Sequence, residues 1–262
     1  MAGDLISKPP AETPAYRFRF GLAYLVLATV VGVAVGTTVV LVDRGGKSEG
    51  AAWSPWQPAA EENGSKIQEI VNYVARRYRL DAERQLLAVI PGLPSIQNGD
   101  TRISIRGVAV RAPVARSVED FDFVDTANGL MYILCGGATG CSMAGEGSND
   151  RGRLVRREAL ELALYTFKYV GNVDSVLAFW PPRAGSEATH ALFFRKADFR
   201  TQLERPLYET LAPVRRLDPA SLDELEGGLV DRLTLPHFFR AQPIQAQDGS
   251  AILVLDPAAL GS

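Results

Sequence analysis

Both cysteines of the chain lie in one short stretch, Leu-Cys-Gly-Gly-Ala-Thr-Gly-Cys-Ser-Met, residues 134–143. Five residues separate Cys135 from Cys141, and three of them are glycine. Such a pair can form a disulfide, supply half of a metal site or provide a nucleophilic thiol. A disulfide needs only an oxidising compartment and a loop that folds back on itself, and the glycines give that freedom. We therefore predict a Cys135–Cys141 disulfide worth about 2 kcal/mol, with two free buried thiols as the alternative.

A zinc site would need three or four ligands at suitable spacing. The only histidines, His190 and His237, lie far downstream of the cysteines, and no CxxC or HxxxH spacing is present. The sequence also lacks GxSxG, SxxK, HExxH and EF-hand patterns. We expect no metal, no cofactor and no catalytic residue.

The segment Gly-Ala-Thr-Gly-Cys-Ser-Met-Ala-Gly nevertheless resembles the Ser-x-Gly-Cys nucleophile segment of L,D-transpeptidases, enzymes that crosslink cell walls outside the membrane. The resemblance covers a few residues around Gly140-Cys141 and implies a Cys141 nucleophile. In that family a histidine shortly precedes the cysteine and an arginine closely follows it. Here both histidines lie downstream, and Ser-Met-Ala-Gly-Glu-Gly follows Cys141. The chain therefore lacks the histidine before the cysteine and the arginine after it, the positions that make the family pattern specific.

A glycine-rich loop, Gly136–Asp150, leads into a run of arginines at the start of a predicted helix. Positive charge at a helix N-terminus opposes the helix dipole, so these side chains need anionic partners. We predict a phosphate or carboxylate site there, formed by Arg151, Arg153 and Arg156. Salt bridges to nearby acids, such as Asp150 and Glu161, are the alternative interpretation.

Residues Phe20–Val42 form an uncharged run of 23 residues. As a helix it would span about 34 Å, enough to cross a bilayer core. We predict an uncleaved anchor; the alternatives are a buried core helix and a signal peptide cleaved near Ala34-Val35-Gly36. Three basic residues precede the run and Arg44 and Lys47 follow it, so residues 1–19 are expected in the cytoplasm and residues 44–262 outside it.

Small residues recur at four-residue spacing within this run, at Ala28, Gly32 and Gly36. Such a stripe allows two membrane helices to approach closely. It predicts a homodimer through the membrane helix as one possible assembly.

Residues 43–60 are rich in glycine, serine, alanine and proline and are predicted to be a linker. Trp53 and Trp56 would lie either at the membrane interface or against the domain that follows. Residues 61–262 are predicted to form one mixed α+β domain. Its predicted helices are 61–80, 154–170 and 218–226, and its predicted strands are 86–90, 101–112, 129–135, 175–180, 190–196 and 251–255.

Two of these strand predictions carry structural detail. In 101–112 the apolar residues change parity at Gly107, which predicts a β-bulge. The strands 175–180 and 190–196 are apolar on successive residues, which predicts a hairpin buried on both faces. Helices and strands do not follow a strict βαβ rhythm.

The composition is that of a folded protein, with 47% hydrophobic and 22% charged residues. The net charge of −2 gives no field that would favour nucleic acid. Arginine outnumbers lysine 23 to 5, which is typical of a GC-rich bacterial genome. The sequence predicts a plasma-membrane protein whose extracytoplasmic domain binds a protein partner or supports the cell envelope without catalysis. The alternatives are an envelope enzyme that uses Cys141 or the Gly136–Asp150 loop, and a regulator whose domain faces the cytoplasm.

Overall fold

The structure is a computed structural model that describes residues 52–81, 83–112, 120–138, 141–143, 147–213 and 224–258. Within these ranges, no helix has both the length and the apolar character needed to cross a bilayer. The predicted tail 1–19, the predicted anchor Phe20–Val42 with its small-residue stripe, and the first half of the predicted linker, residues 43–51, lie outside them.

Residues 53–258 form a mixed α+β unit, as the sequence predicts for the bulk of the domain. The helices are α1 Asn63–Ala75, α2 Asn149–Tyr169, α3 Arg200–Glu204 and α4 Glu224–Thr234. The strands are β1 Ala88–Gly92, β2 Ser95–Asn98, β3 Thr101–Arg111, β4 Phe121–Asp125, β5 Gly129–Cys135, β6 Ser175–Phe179, β7 His190–Arg195, β8 Phe238–Gln245 and β9 Ala251–Pro257. Short 3₁₀ turns at Lys196–Phe199, Leu207–Glu209 and Leu235–His237 complete the connections.

The nine strands belong to one sheet in the order β1-β5-β6-β7-β8-β9-β3-β2, and β4 also pairs with β3. Two pairs are parallel, β5 with β6 and β3 with β9. The other pairs are antiparallel, including the predicted hairpin of β6 and β7, in which Ser175 lies opposite Arg195. The hairpin prediction is confirmed.

The sheet curves until it is nearly closed. Its inner face forms one apolar cluster that includes side chains from β5 near one end of the strand order and from β3 near the other. The buried members of this cluster are Ile105, Val108, Met131, Leu177, Ala191, Phe193, Phe239, Ala241, Ala251, Leu253 and Leu255. A second cluster joins the outer face of β5, β6 and β7 to α1 and α2. The central strands are therefore buried on both faces, as their continuous apolar sequence predicts.

The β3 strand contains the predicted irregularity. Ile105 lies opposite Ala251 of β9 and Gly107 lies opposite Ile252, so Arg106 is the extra residue. The shift brings Ile105 and Val108 to the same buried face despite their opposite parity. The ring of Phe123 on β4 covers Gly107, where a Cβ atom would lie 2.1 Å from the ring. Gly107 therefore serves both the bulge and a close aromatic contact.

The folded unit begins earlier than the sequence predicts. The indole N–H of Trp53 donates a hydrogen bond to the carbonyl of Gln202 at 2.9 Å, and the Ser54 hydroxyl lies 2.5 Å from that of Tyr165. Trp53 also packs edge-on against Tyr165 of α2. The predicted linker 43–60 therefore extends too far, because its aromatic residues belong to the core rather than to a tether.

Other boundaries differ for local reasons. α2 begins at Asn149, not Leu154, because the side chain of Ser148 caps it by accepting from the N–H of Arg151 at 3.2 Å. The sequence patterns did not indicate β2, β4 or β8. β1 extends through Pro91, which is tolerated because β1 is an edge strand of the sheet. The predicted helix 218–226 lies mostly outside the described residues, and α4 continues to Thr234.

Candidate functional site

The two cysteines lie at disulfide distance, with 1.98 Å between their sulfur atoms. Cys135 is the last residue of β5, and the chain turns back because the N–H of Gly136 donates to the carbonyl of Cys141 at 2.8 Å. A Cβ atom at Gly136 would lie 2.2 Å from the carbonyl oxygen of Ser142, so glycine is required there. The pairing leaves no thiol to act as a nucleophile at Cys141.

A cavity of about 570 Å³ lies a few residues further along the chain, at the start of α2. Four elements form its walls: the first turns of α2, the side chain of Asp231 from α4, the connection between β6 and β7, and the first residue of β8. Its size is within the range of small-molecule sites. Its lining residues are Ser148, Asn149, Gly152, Arg153, Arg156, Trp180, Pro181, Pro182, Arg183, Ser186, Glu187, Thr189, His190, Asp231 and Phe238.

Two of the three arginines predicted to bind an anion line this cavity, Arg153 and Arg156. Asp231 accepts from both, at 2.8 Å from Nη2 of Arg153 and 2.5 Å from Nη2 of Arg156. Burial acts to raise the pKa of Asp231, but the hydrogen bonds from the two arginines outweigh it and lower that pKa. One carboxylate thus serves two guanidinium groups. Arg151, the third predicted residue, is buried and does not line the cavity.

An aromatic wall stands beside the arginines. The rings of Trp180 and Phe238 meet edge to face, with centroids 5.2 Å apart. The imidazole of His190 stacks on Phe238 at 5.4 Å, with 10° between the ring planes. Trp180 directly follows β6 and His190 begins β7, and the N–H of Trp180 donates to the carbonyl of His190, so the antiparallel hairpin places these rings together. The wall is only partly buried and presents ring surface to the cavity.

The pKa of His190 also reflects the positive charge around it. Burial lowers the pKa of His190, and the positive charges of Arg240 and Arg183 lower it further. Arg240 lies opposite His190 in the β7–β8 ladder, and Arg183 lies in the β6–β7 connection. Neither arginine forms a salt bridge with another residue of the described ranges. The hairpin end of the cavity is therefore positively charged.

The next arginine of α2 lies in a different environment. Arg157 is 1% exposed, and its guanidinium contacts Glu226 of α4 at 2.5 Å and Glu161 at 3.3 Å. It also donates to the Tyr78 hydroxyl and to the carbonyl of Ala212. Burial raises the pKa of Tyr78 to about 12 against the opposing charge of Arg157, so the phenol stays neutral and donates to Glu161 at 2.6 Å. We call these four side chains, with Arg77 paired to Glu161, the buried ion network.

Glu158 directly follows Arg157 in sequence and lies near enough to Tyr78 for its charge to act on that phenol. Its side chain is fully buried, and its two carboxyl oxygens have no hydrogen-bond partner among the described residues. Burial raises the pKa of Glu158 well above its ordinary value. Burial therefore favours the protonated form of Glu158.

The histidines do not share a site. His190 lines the cavity, whereas His237 packs against the rings of Phe194 and Phe199. Within the described part of the chain, no three His, Cys, Asp or Glu side chains converge to hold a metal ion. The hydroxyl of Thr189 lies 3.0 Å from Nδ1 of His190, but in the same ranges no carboxylate orients that imidazole. A lone hydroxyl–imidazole pair falls short of a catalytic set.

Sequence reasoning missed the residues that face α2 across the cavity, namely Trp180, Arg183, His190, Asp231 and Phe238. The turn-rich segment Pro-Pro-Arg-Ala-Gly-Ser-Glu-Ala-Thr between two predicted strands was a usable signal, because a hairpin brings its two ends together. Asp231 gave no such signal, since its contact with α2 depends on how α4 docks.

No family model, no curated protein and no solved structure matches this chain.

Proposed function

We propose that this protein is a single-pass membrane protein whose extracytoplasmic domain binds a ligand, without catalysis, in the cavity beside α2. The observation that carries the proposal is the cavity itself. It combines about 570 Å³ of space, three arginines and a partly exposed aromatic wall on four converging elements. Sites of this kind hold a ligand by a few placed polar groups and a larger apolar surface.

Among the described residues, the side chains that could react are already engaged with each other, which favours binding over catalysis. The cysteine sulfurs lie at bonding distance from each other. Asp231, the carboxylate nearest the arginines, is held as an anion by two guanidinium groups and is a poor proton acceptor. A general base needs a higher pKa than such a carboxylate has.

The predicted location rests on Phe20–Val42 and on the cysteine pair. A disulfide persists outside the cytoplasm, where thiols are not kept reduced, and a domain behind a signal anchor is delivered there. The two features agree with each other.

Filling the cavity tests the binding function. Gly152 lines it, and a Cβ atom there meets nothing nearer than Nη1 of Arg156 at 3.8 Å, so Gly152→Phe projects a ring into the space. Gly228→Phe on α4 is the matched control, with the same clearance outside the cavity. The full chain in detergent micelles is screened by thermal shift against anionic, cationic and neutral ring compounds. We expect at least one class to raise the Tm of the wild type and of Gly228→Phe but not of Gly152→Phe.

A panel that stabilises all three proteins equally, or none of them, contradicts binding in this cavity. Location is tested separately on intact cells with a membrane-impermeant maleimide, before and after an impermeant reductant. We expect labelling only after reduction. A control cysteine at Ser48 reports topology independently, and labelling of both proteins only after lysis would place the domain inside the cell.

A further inference from the structure

The cavity has an excess of positive charge that its own residues do not neutralise. Its lining contains three guanidinium groups, of Arg153, Arg156 and Arg183, against the two carboxylates of Asp231 and Glu187. Asp231 is fully engaged by Arg153 and Arg156, through hydrogen bonds from both. Arg183 forms no salt bridge within the described ranges, and Glu187 is exposed beside it in the connection.

The excess is concentrated at the hairpin end. Arg183 lines the cavity, and Arg240, which does not line it, lies opposite the lining residue His190; after burial, the charges of both arginines lower the pKa of His190. Against these two positive charges the connection supplies one exposed carboxylate, Glu187, so positive charge remains in excess and a bound anion lowers its electrostatic cost. Arg183 and Arg240 are exposed, so neither is held in place by the core. Arg183 and Arg240 are therefore better placed to attract an anion than to stabilise the fold.

The same end of the cavity offers flat apolar surface. Trp180, Phe238 and His190 form a row of contacting rings, with Trp180 edge to face on Phe238 at 5.2 Å and His190 stacked on Phe238 at 5.4 Å. Pro181 and Pro182 follow Trp180 directly and restrict the backbone that carries it. An aromatic ring that packs on such a surface gains more binding free energy than its buried area alone would supply. The anion and the ring are therefore recognised side by side.

We infer that the cavity takes a small ligand that bears a carboxylate or phosphate on a flat ring. This inference rests on the proposed function and names its ligand class. The anionic group lies by Arg183 and Arg156, which line the cavity, with Arg240 adding positive charge beside His190, and the ring lies on Trp180 and Phe238. Asp231 of α4 holds Arg156 in place and accepts from Arg153 as well.

The test uses matched probes with the full chain in detergent micelles, measured by isothermal titration calorimetry. Phenyl phosphate and benzoate combine a ring with an anion. Inorganic phosphate keeps the anion without the ring, benzyl alcohol keeps the ring without the charge, and benzylamine reverses the charge. We expect phenyl phosphate or benzoate to bind at least tenfold more tightly than any of the other three. The stronger of the two identifies which anion the site prefers.

Variants then locate the anion. Arg183 and Arg240 are exposed, so Arg183→Gln and Arg240→Gln leave the fold intact. Each is expected to weaken binding of the stronger anionic probe about tenfold, the loss of one charge-assisted hydrogen bond. Arg200→Gln, an exposed arginine of α3 outside the cavity, is the control and is expected to change nothing. Trp180→Ala is expected to weaken phenyl phosphate and leave the weak binding of inorganic phosphate unchanged.

Three results overturn the inference. Benzyl alcohol or benzylamine binding as tightly as the anionic ring probes shows a site that does not select an anion. Inorganic phosphate binding as tightly as phenyl phosphate shows that the ring contributes nothing. No binding by any probe also overturns it. The first two results leave ligand binding in the cavity standing, because Gly152→Phe still tests that function separately.

Discussion

Arg156 and Arg157 are neighbours on α2, yet they face two regions of opposite character. Arg157 lies in the buried ion network, where two carboxylates, a phenol and a backbone carbonyl satisfy its guanidinium. Arg156 shares the single carboxylate of Asp231 with Arg153 and borders an open cavity. Each residue of an α-helix is rotated by about 100° from the one before it. Consecutive side chains therefore point in different directions and contact different neighbours.

The difference shows what separates a structural arginine from a binding one. In the buried ion network Arg157 is 1% exposed and contacts two carboxylates, Glu161 and Glu226. In the cavity the arginines outnumber the available acids and solvent reaches them. α4 supplies one carboxylate to each region, Glu226 and Asp231, so the difference is that Arg157 also has Glu161 of α2 whereas Arg153 and Arg156 share Asp231.

The largest expected effect comes from breaking the buried ion network. Arg157→Leu leaves Glu161 and Glu226 buried without their main counter-charge, and we expect the free energy of unfolding to fall by about 3–5 kcal/mol. Arg153→Leu removes a partly exposed pair and should cost about 1 kcal/mol or less. Urea denaturation of the full chain, followed by circular dichroism, measures both. Equal losses would contradict the distinction between the two regions.

The proton on Glu158 gives the next effect. Because the pKa of Glu158 is raised in the folded state, the folded chain keeps a proton that the unfolded chain releases above pH 4.5. The stability of the wild type is therefore greatest below that pH and declines as pH rises toward the folded-state pKa. Glu158→Gln removes this decline. We expect its free energy of unfolding to gain on the wild type by roughly 1 kcal/mol per pH unit above pH 4.5. Parallel pH profiles would show that the carboxyl is ionised and paired.

A substitution at Asp231 tests the role assigned to the arginines of the cavity. Asp231→Asn frees Arg153 and Arg156 from their shared carboxylate while keeping one oxygen acceptor. We expect affinity for phenyl phosphate to rise about three- to tenfold, and stability to fall by about 1 kcal/mol. Asp198→Asn, which loses a salt bridge to Arg195 outside the cavity, is the control. Weaker binding by Asp231→Asn would mean that Asp231 positions the arginines more than it competes with the ligand.

The smallest effect is a pH dependence at His190. Burial and then Arg240 and Arg183 hold the pKa of His190 below 6.5, so the ring is neutral at pH 7 and gains charge only in more acidic solution. Benzenesulfonate stays ionised throughout, so it isolates the protein's contribution. We expect its affinity to rise about two- to threefold between pH 7 and pH 5. His190→Gln should remove the rise, and an unchanged profile in that variant would assign the effect to another group.

The sequence patterns predicted the parts of the fold that rest on local periodicity. Ile103, Ile105, Val108 and Val110 gave both β3 and its bulge, because a buried face must stay continuous. The apolar run 175–180 gave a doubly buried strand, and the glycines beside Cys135 and Cys141 gave a loop that returns on itself. The missed strand β4, Phe-Asp-Phe-Val-Asp, has little apolar alternation because most of its side chains are exposed.

The candidate site was predictable only in part. Arg153 and Arg156 stood out because positive charge at a helix start is unfavourable. Arg151, in the same run, is buried instead. The two-residue spacing between Arg151 and Arg153 does not show which face of α2 packs against the core. The opposite wall comes from Trp180, His190 and Phe238, whose meeting depends on strand pairing over more than forty residues of chain. Such pairing is set by tertiary packing, which no local pattern contains.

The place of β9 in the sheet has a consequence for the order in which the chain can fold. β9 lies between β8 and β3, and its parallel partner β3 is made about 140 residues earlier. Until residue 257 has been synthesised, one edge of β3 has no partner and the inner apolar cluster is open. Contacts this distant in sequence make folding slow and leave strand edges available for wrong pairing. A chain truncated before Ala251 should therefore aggregate rather than form a smaller domain.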